Sequence, residues 1–187
     1  MTAQTEIALD TDKDYEVVDG KMEEKMAGAR HGRVCARLIA RLDIHVETND
    51  LGGIYTPDTT FQIGANERLP DISFVSSARI PEEGDPIGKW EIAPDLAVEV
   101  ISPNDLWDKV NSKVAAYFAA GVREVWLVSL EQRTVSIYNS PTQVRILKED
   151  DELTSEELLP GFRCRVSEIF GRYVIHNSEG DTEETTQ

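Results

Sequence analysis

Pro94-Asp-Leu-Ala-Val-Glu-Val-Ile-Ser-Pro-Asn-Asp105, followed by residues 106–120 and 122–130, is the stretch that decides the fold. Leu96-Ala-Val-Glu-Val-Ile101 is an almost unbroken apolar run. That pattern marks a central strand covered on both faces. Behind it, Val110, Val114, Tyr117 and Phe118 recur at helical spacing, so 106–120 reads as a helix. Ser102, Asn104 or Asp105 supplies its cap, and Gly121 ends it. Residues 122–130 then read as the next strand.

Working outward, residues 31–47 form a first helix, with Val34, Leu38, Leu42 and Val46 as its apolar stripe and Cys35 and Ile39 widening it. Ahead of it, residues 15–26 read as a hairpin turning at Asp19-Gly20. Gly52-Gly53 breaks the chain. Residues 54–63 and 69–75 read as strands, 76–94 as a loop around Pro81, Gly84, Pro86 and Gly88, and 134–139 and 143–147 as further strands. Hairpin, helix, strands, helix and strands around one sheet make an α/β (α+β) domain. At 187 residues the chain suits a single domain over 14–176, with a disordered start over 1–13 and an acidic disordered tail over 177–187.

The net charge of −16 argues against a protein that holds nucleic acid by bulk attraction. Twelve of those excess charges lie in 1–14, 148–157 and 179–187, so the body is close to neutral and a nucleic-acid substrate is not excluded. The acidic segments read as solubilising surface. No run approaches the roughly 18 apolar residues of a membrane span, and the N-terminus lacks the pattern of an export signal. The expectation is a cytoplasmic protein with no membrane association. Cys35 and Cys164, far apart and outside any CxxC pair, read as small core residues.

Glu99 is hard to explain as packing. A carboxylate in an apolar strand costs several kcal/mol unless charge compensates it, either from an Arg or Lys or through exposure on an edge. Alternation puts Glu99 on one face with Asp95, Ala97 and Ile101. Asp71, right after Pro70, is the natural companion if the two strands are neighbours, although an Asp after Pro is also an ordinary turn residue. Two converging carboxylates repel, and a hard cation such as Mg²⁺ or Mn²⁺ resolves this. Lys113 borders the apolar face of the following helix, where its stem can run along the core and bring its ammonium inward; Lys109 lies one turn earlier. Two carboxylates and a lysine suit metal-dependent phosphodiester hydrolysis. His31, at the start of the first helix, either touches a phosphate or assists a water, or is a helix-start residue without chemistry. Arg33, Arg37 and Arg41, four apart, make a basic stripe that is either a solvated face or a phosphate track.

Taken together, Leu69-Pro-Asp-Ile-Ser-Phe-Val75, Pro94-Asp-Leu-Ala-Val-Glu-Val-Ile-Ser-Pro-Asn-Asp105 and Lys113-Val-Ala-Ala-Tyr-Phe-Ala-Ala-Gly-Val-Arg-Glu-Val-Trp-Leu-Val128 resemble the Uma family of bacterial restriction-endonuclease-like proteins. Tyr15-Glu-Val-Val-Asp-Gly20, His31-Gly-Arg-Val34 and Leu159-Pro-Gly-Phe162 agree with it, so the likeness spans about 14–171. The resemblance implies a PD-(D/E)-x-K nuclease-like fold, a mixed central sheet flanked by helices with the site at one end of the sheet. It implies Asp71 and Glu99 as the metal-binding acids, Lys113 as a lysine displaced from strand to helix, and His31 as the family's histidine. Ile101 stands two after Glu99, so the usual E-x-K is absent. The resemblance also implies a homodimer acting on DNA. The expectation is therefore a Mg²⁺- (or Mn²⁺-) dependent endonuclease with Asp71, Glu99, Lys113 and His31 in its site. Two other readings compete with it: a non-catalytic interaction module that keeps the fold, which the acidic surface favours, and a hydrolase of a smaller phosphate ester.

Overall fold

The computed structural model describes residues 15–24, 28–101 and 107–171. The expected disorder over 1–13 and 177–187, the end of the hairpin at Lys25 and Met26, and the cap among Ser102, Asn104 and Asp105 lie outside the described residues.

β1 (Tyr15–Val18) and β2 (Lys21–Glu24) form the expected hairpin. Asp19 and Gly20 have φ of 51° and 72°, the paired positive values of a two-residue turn matched to strand twist. α1 (Ala29–Thr48) follows, burying Val34, Cys35, Leu38, Leu42 and Val46. Gly52 and Gly53 do not break the chain as expected; they open β3 (Gly52–Tyr55), which pairs with β6 (Ile72–Ser76). A Cβ on Gly52 would lie 2.0 Å from the Val75 carbonyl oxygen, so only glycine allows this approach. The strand expected over 54–63 is two strands, β3 and β4 (Phe61–Ile63), parted at Thr56-Pro57-Asp58, because Pro57 cannot donate to a ladder. β5 (Asn66–Arg68) turns back on β4.

β7 (Leu96–Ile101), α2 (Trp107–Ala119) and β8 (Glu124–Ser129) are the strand, helix and strand read from the sequence. β9 (Thr134–Ser140) and β10 (Gln143–Leu147) complete a six-stranded sheet in the order β10-β9-β8-β7-β6-β3. β7 runs parallel to β8 and antiparallel to β6, so the sheet is mixed and β7 is central. α1 covers one face, packing with Ile72, Phe74, Leu96, Val98, Val100, Trp126 and Val128. α2 covers the other, where Val110, Val114 and Tyr117 meet Val75, Ala97, Val125 and Leu127. Each large aliphatic side chain buried this way contributes about 1.5–3 kcal/mol.

A second sheet, ordered β2-β1-β5-β4, brings the N-terminal hairpin alongside β5. The described residues end in a hairpin of β11 (Glu152–Ser155) and β12 (Leu159–Arg165), then α3 (Val166–Phe170), which close over α1. β11 lies within the segment read as acidic surface: its one acid, Glu152, faces solvent while Leu153 is fully buried. α3 also explains the arginine stripe. Arg37 Nη1 donates to the Phe170 carbonyl at 2.5 Å and Arg41 Nε to Glu168 at 3.3 Å. Two of the three arginines therefore tie helix to helix, which is neither of the roles read from the sequence.

Candidate active site

β7 carries Glu99 toward α2, as alternation requires. Glu99 as a whole is 7% exposed. Lys113 Nζ donates to Glu99 Oε2 at 3.0 Å and Tyr117 Oη to Glu99 Oε1 at 2.5 Å. Positions 113 and 117 lie one turn apart on α2, so both donors come from one stripe of the helix. Burial alone would push the Lys113 ammonium down; Glu99 and Glu16 outweigh it and hold the group above its ordinary value. Burial and the same two carboxylates push the Tyr117 hydroxyl well up, so it remains a donor.

Glu16 of β1 was not singled out in the sequence. Its Oε1 accepts from Lys113 Nζ at 3.0 Å and from the Leu69 N–H at 3.1 Å, and its Oε2 accepts from Arg68 Nη1 at 3.3 Å. Burial works to raise its carboxyl, but Lys113, with Arg68 and the Leu69 N–H, holds it below the usual range. The only sequence signal was an acid in an otherwise apolar strand start, Tyr15-Glu-Val-Val18. From the sequence, Tyr117 reads as core alone.

Asp71 lies in the bend before β6 and is 1% exposed. The register Ile72↔Val98, carried one residue further, sets Asp71 level with Glu99. Its Oδ2 accepts from the Val100 N–H at 2.7 Å and lies 2.9 Å from His31 Nε2. That hydrogen bond, with a smaller contribution from Cys35 and against the opposing effect of burial, raises the His31 imidazole to about 10. That shift favours the cationic form of the imidazole, held against the Asp71 carboxylate. On its other side, His31 Nδ1 lies 3.6 Å from Cys35 Sγ, one turn along α1.

The four residues named from the sequence thus form two pairs, His31 with Asp71 and Lys113 with Glu99, joined where the Val100 N–H, next to Glu99 on β7, donates to the Asp71 carboxylate. The oxygen donors of Asp71 and Glu99 have the hard chemistry that Mg²⁺ or Mn²⁺ takes. Among the described residues, one group of three His, Cys, Asp or Glu donors falls within 4.8 Å: His31, Cys35 and Asp71. Glu99 is not a member of it.

The family model described as "Uma2: Putative restriction endonuclease" matches residues 3–167. The chain belongs to the Uma2 family. A crystal structure described as "a putative nuclease belonging to DUF820 from Anabaena variabilis ATCC 29413" superimposes with a TM-score of 0.77 at 21% identity, covering 86% of this chain and 91% of that one. At that identity the likeness speaks for the fold, which is the restriction-endonuclease-like mixed sheet expected from the sequence. No curated protein matches the chain. The Uma2 chain is therefore nuclease-like in family and in fold. No helix among its described residues is long and apolar enough to cross a membrane.

Proposed function

We propose that this Uma2 protein is a divalent-metal-dependent endonuclease hydrolysing phosphodiester bonds, with DNA as substrate. The observation that carries this reading is the pairing of the buried Glu99 with Lys113, 3.0 Å away on the next helix, beside an Asp71 level with Glu99 across the sheet. A helix lysine here reaches the acid that an E-x-K lysine would serve from position 101.

Asp71 and Glu99 would hold a Mg²⁺ or Mn²⁺ ion. Such an ion supplies Lewis-acid polarisation of the phosphate and a bound water of lowered pKa. Lys113 keeps a positive charge beside the reacting phosphate, and Glu16 and the Leu69 N–H fix where that charge sits. The protonated His31 adds a second cation on the Asp71 side. Tyr117 holds the Glu99 carboxylate from behind, so a metal-facing oxygen keeps its orientation.

A second reading has its own observation. Asp71 is already paired with His31, and Glu99 with Lys113, so the charges of the site balance without an ion. This favours a non-catalytic module that retains the nuclease fold. Nicking of plasmid and oligonucleotide DNA with Mg²⁺ and with Mn²⁺, alongside Glu99→Gln and Lys113→Ala, separates the two. Cleavage by the wild type that both variants abolish supports the enzyme; cleavage persisting in both removes this site; no cleavage of any nucleic acid favours the module.

A domain spanning 14–176 and a homodimer belong to the same reading. Edge strand β10 supports the pairing by exposing Val144 and Ile146, at 47% and 60%. Light scattering at twice the 20.9 kDa chain mass is the expected result.

A further inference from the structure

Helix α2 joins β7 to its parallel neighbour β8, so it runs antiparallel to both strands and its first turn lies at the C-terminal end of β7. That end is the one nearer Glu99, which stands two residues before the last of the strand. Open α/β sheets place their ligands at the carboxyl ends of such strands. Trp107 opens the helix. At a rise of 1.5 Å per residue it stands about 9 Å before Lys113 along the axis. Lys113 and the buried Tyr117 reach Glu99 from inside, and Trp107 sits at the rim beyond them.

Trp107 is 63% exposed, whereas Trp90 and Trp126 are 4% and 0% exposed. A large ring left in water forgoes the burial that stabilises the other two. Asp108, Lys109, Asn111 and Ser112 beside it are exposed as well. One apolar ring in a polar surface falls far short of the area a stable protein partner needs, about 800 Å² on each side. It does match a single nucleobase, whose π face stacks on an aromatic side chain. Charge points the same way. A chain of net charge −16 gains little from bulk attraction to a polyanion. Lys113 is shared between Glu16 and Glu99, and Lys109 lies 3.5 Å from Glu23. Stacking supplies binding that does not draw on those cations.

We infer that Trp107 determines which nucleic acid the site takes: its ring stacks on an unpaired base next to the phosphate at Glu99 and Lys113. The substrate is then single-stranded DNA, or a flap or bubble that offers an unpaired nucleotide. Within a duplex both faces of a base are covered by its neighbours, and the ring has nothing to meet unless the base is extruded. The inference rests on the proposed nuclease reading for its substrate and adds the state of the strand.

The test uses the full chain in Ca²⁺, a hard ion that takes oxygen donors, with a short single-stranded oligodeoxynucleotide and with the duplex made from it. Trp107→Phe gives the emission of the two buried tryptophans, and the difference from the wild type is the signal of Trp107. Iodide is expected to quench that signal in the free protein. The bound single strand should quench it too, and the duplex should not. By anisotropy of the labelled single strand, Trp107→Ala is expected to bind about 5–150-fold more weakly, equal to about 1–3 kcal/mol of stacking, and Trp107→Phe to recover most of the loss. Duplex binding and the melting temperatures of both variants should match the wild type. Failure of the single strand to bind, binding without quenching, wild-type affinity in Trp107→Ala, or an equal loss for the duplex overturns the inference. A Trp107 signal shielded from iodide also overturns it, since a second copy then covers the ring. Cleavage in Mg²⁺ or Mn²⁺ without these effects removes the stacking role and leaves the nuclease. Quenching by the single strand without any cleavage keeps the stacking site and removes the enzyme.

Discussion

Lys113 stands between Glu99 and Glu16, 3.0 Å from a carboxylate oxygen of each. One ammonium thus links three elements: the central strand β7, the helix α2 after it and the N-terminal hairpin 97 residues away in sequence. The hairpin, remote from the decisive strand along the chain, is part of the same electrostatic unit.

Removing that ammonium leaves two buried carboxylates facing each other. Lys113→Ala is expected to cost about 3 kcal/mol of stability, as for other buried pairs broken on one side. Urea denaturation checks it. Lys113→Ala combined with Glu99→Gln should be less destabilised than the two single changes added together, because the charge left behind is removed as well.

Tyr117→Phe deletes the hydroxyl that donates to Glu99 Oε1 and keeps the ring. The expected loss is about 1–3 kcal/mol, the cost of a buried acceptor deprived of its donor. A loss below a few tenths of a kcal/mol in the same denaturation experiment would mean that Glu99 does not depend on this donor.

Stability should fall with rising alkalinity through His31. Its imidazole is raised from 6.5 to about 10 in the folded chain, chiefly by the Asp71 hydrogen bond. The folded state then binds a proton that the unfolded state has released. This contribution is complete below pH 6.5 and is lost as pH climbs toward 10. His31→Gln should flatten the decline of unfolding free energy between those limits. An unchanged slope would rule out the His31–Asp71 pair as its source.

Gly52→Ala places a methyl group against the Val75 carbonyl at a backbone φ of +146°. Strand β3 must then shift away from β6, and a melting temperature many degrees lower is expected, from a cost of about 1–3 kcal/mol for the backbone alone. Gly88→Ala, where an added Cβ meets nothing within 4 Å, should leave melting unchanged.

The parts of this chain legible in its sequence are those governed by local periodicity. The apolar run 96–101 could only be a doubly covered strand, and the stripes through Val34, Leu38, Leu42 and Val46 and through Val110, Val114 and Tyr117 could only be buried helix faces. Glu99 and Lys113 stood out because a charge in or beside such a pattern conflicts with burial. The C-terminal strands β11 and β12 were hidden for the opposite reason: in β11 the exposed Glu152 outweighs, in a linear reading, the buried Leu153, and in β12 Pro160 and Gly161 interrupt the apolar positions Leu159, Phe162 and Cys164.

The sequence by itself therefore determined the central strand, the two covering helices and the acids and lysine that disturb their apolar faces, because each depends on neighbours within a few residues. Only the tertiary structure decided how those charges pair. It brought Glu16 onto Lys113 and Cys35 onto a His31 already held by Asp71, and it laid Arg37 and Arg41 against α3. Such pairings depend on strand register and helix packing between segments distant along the chain, and no local pattern of residues encodes a distance across a fold.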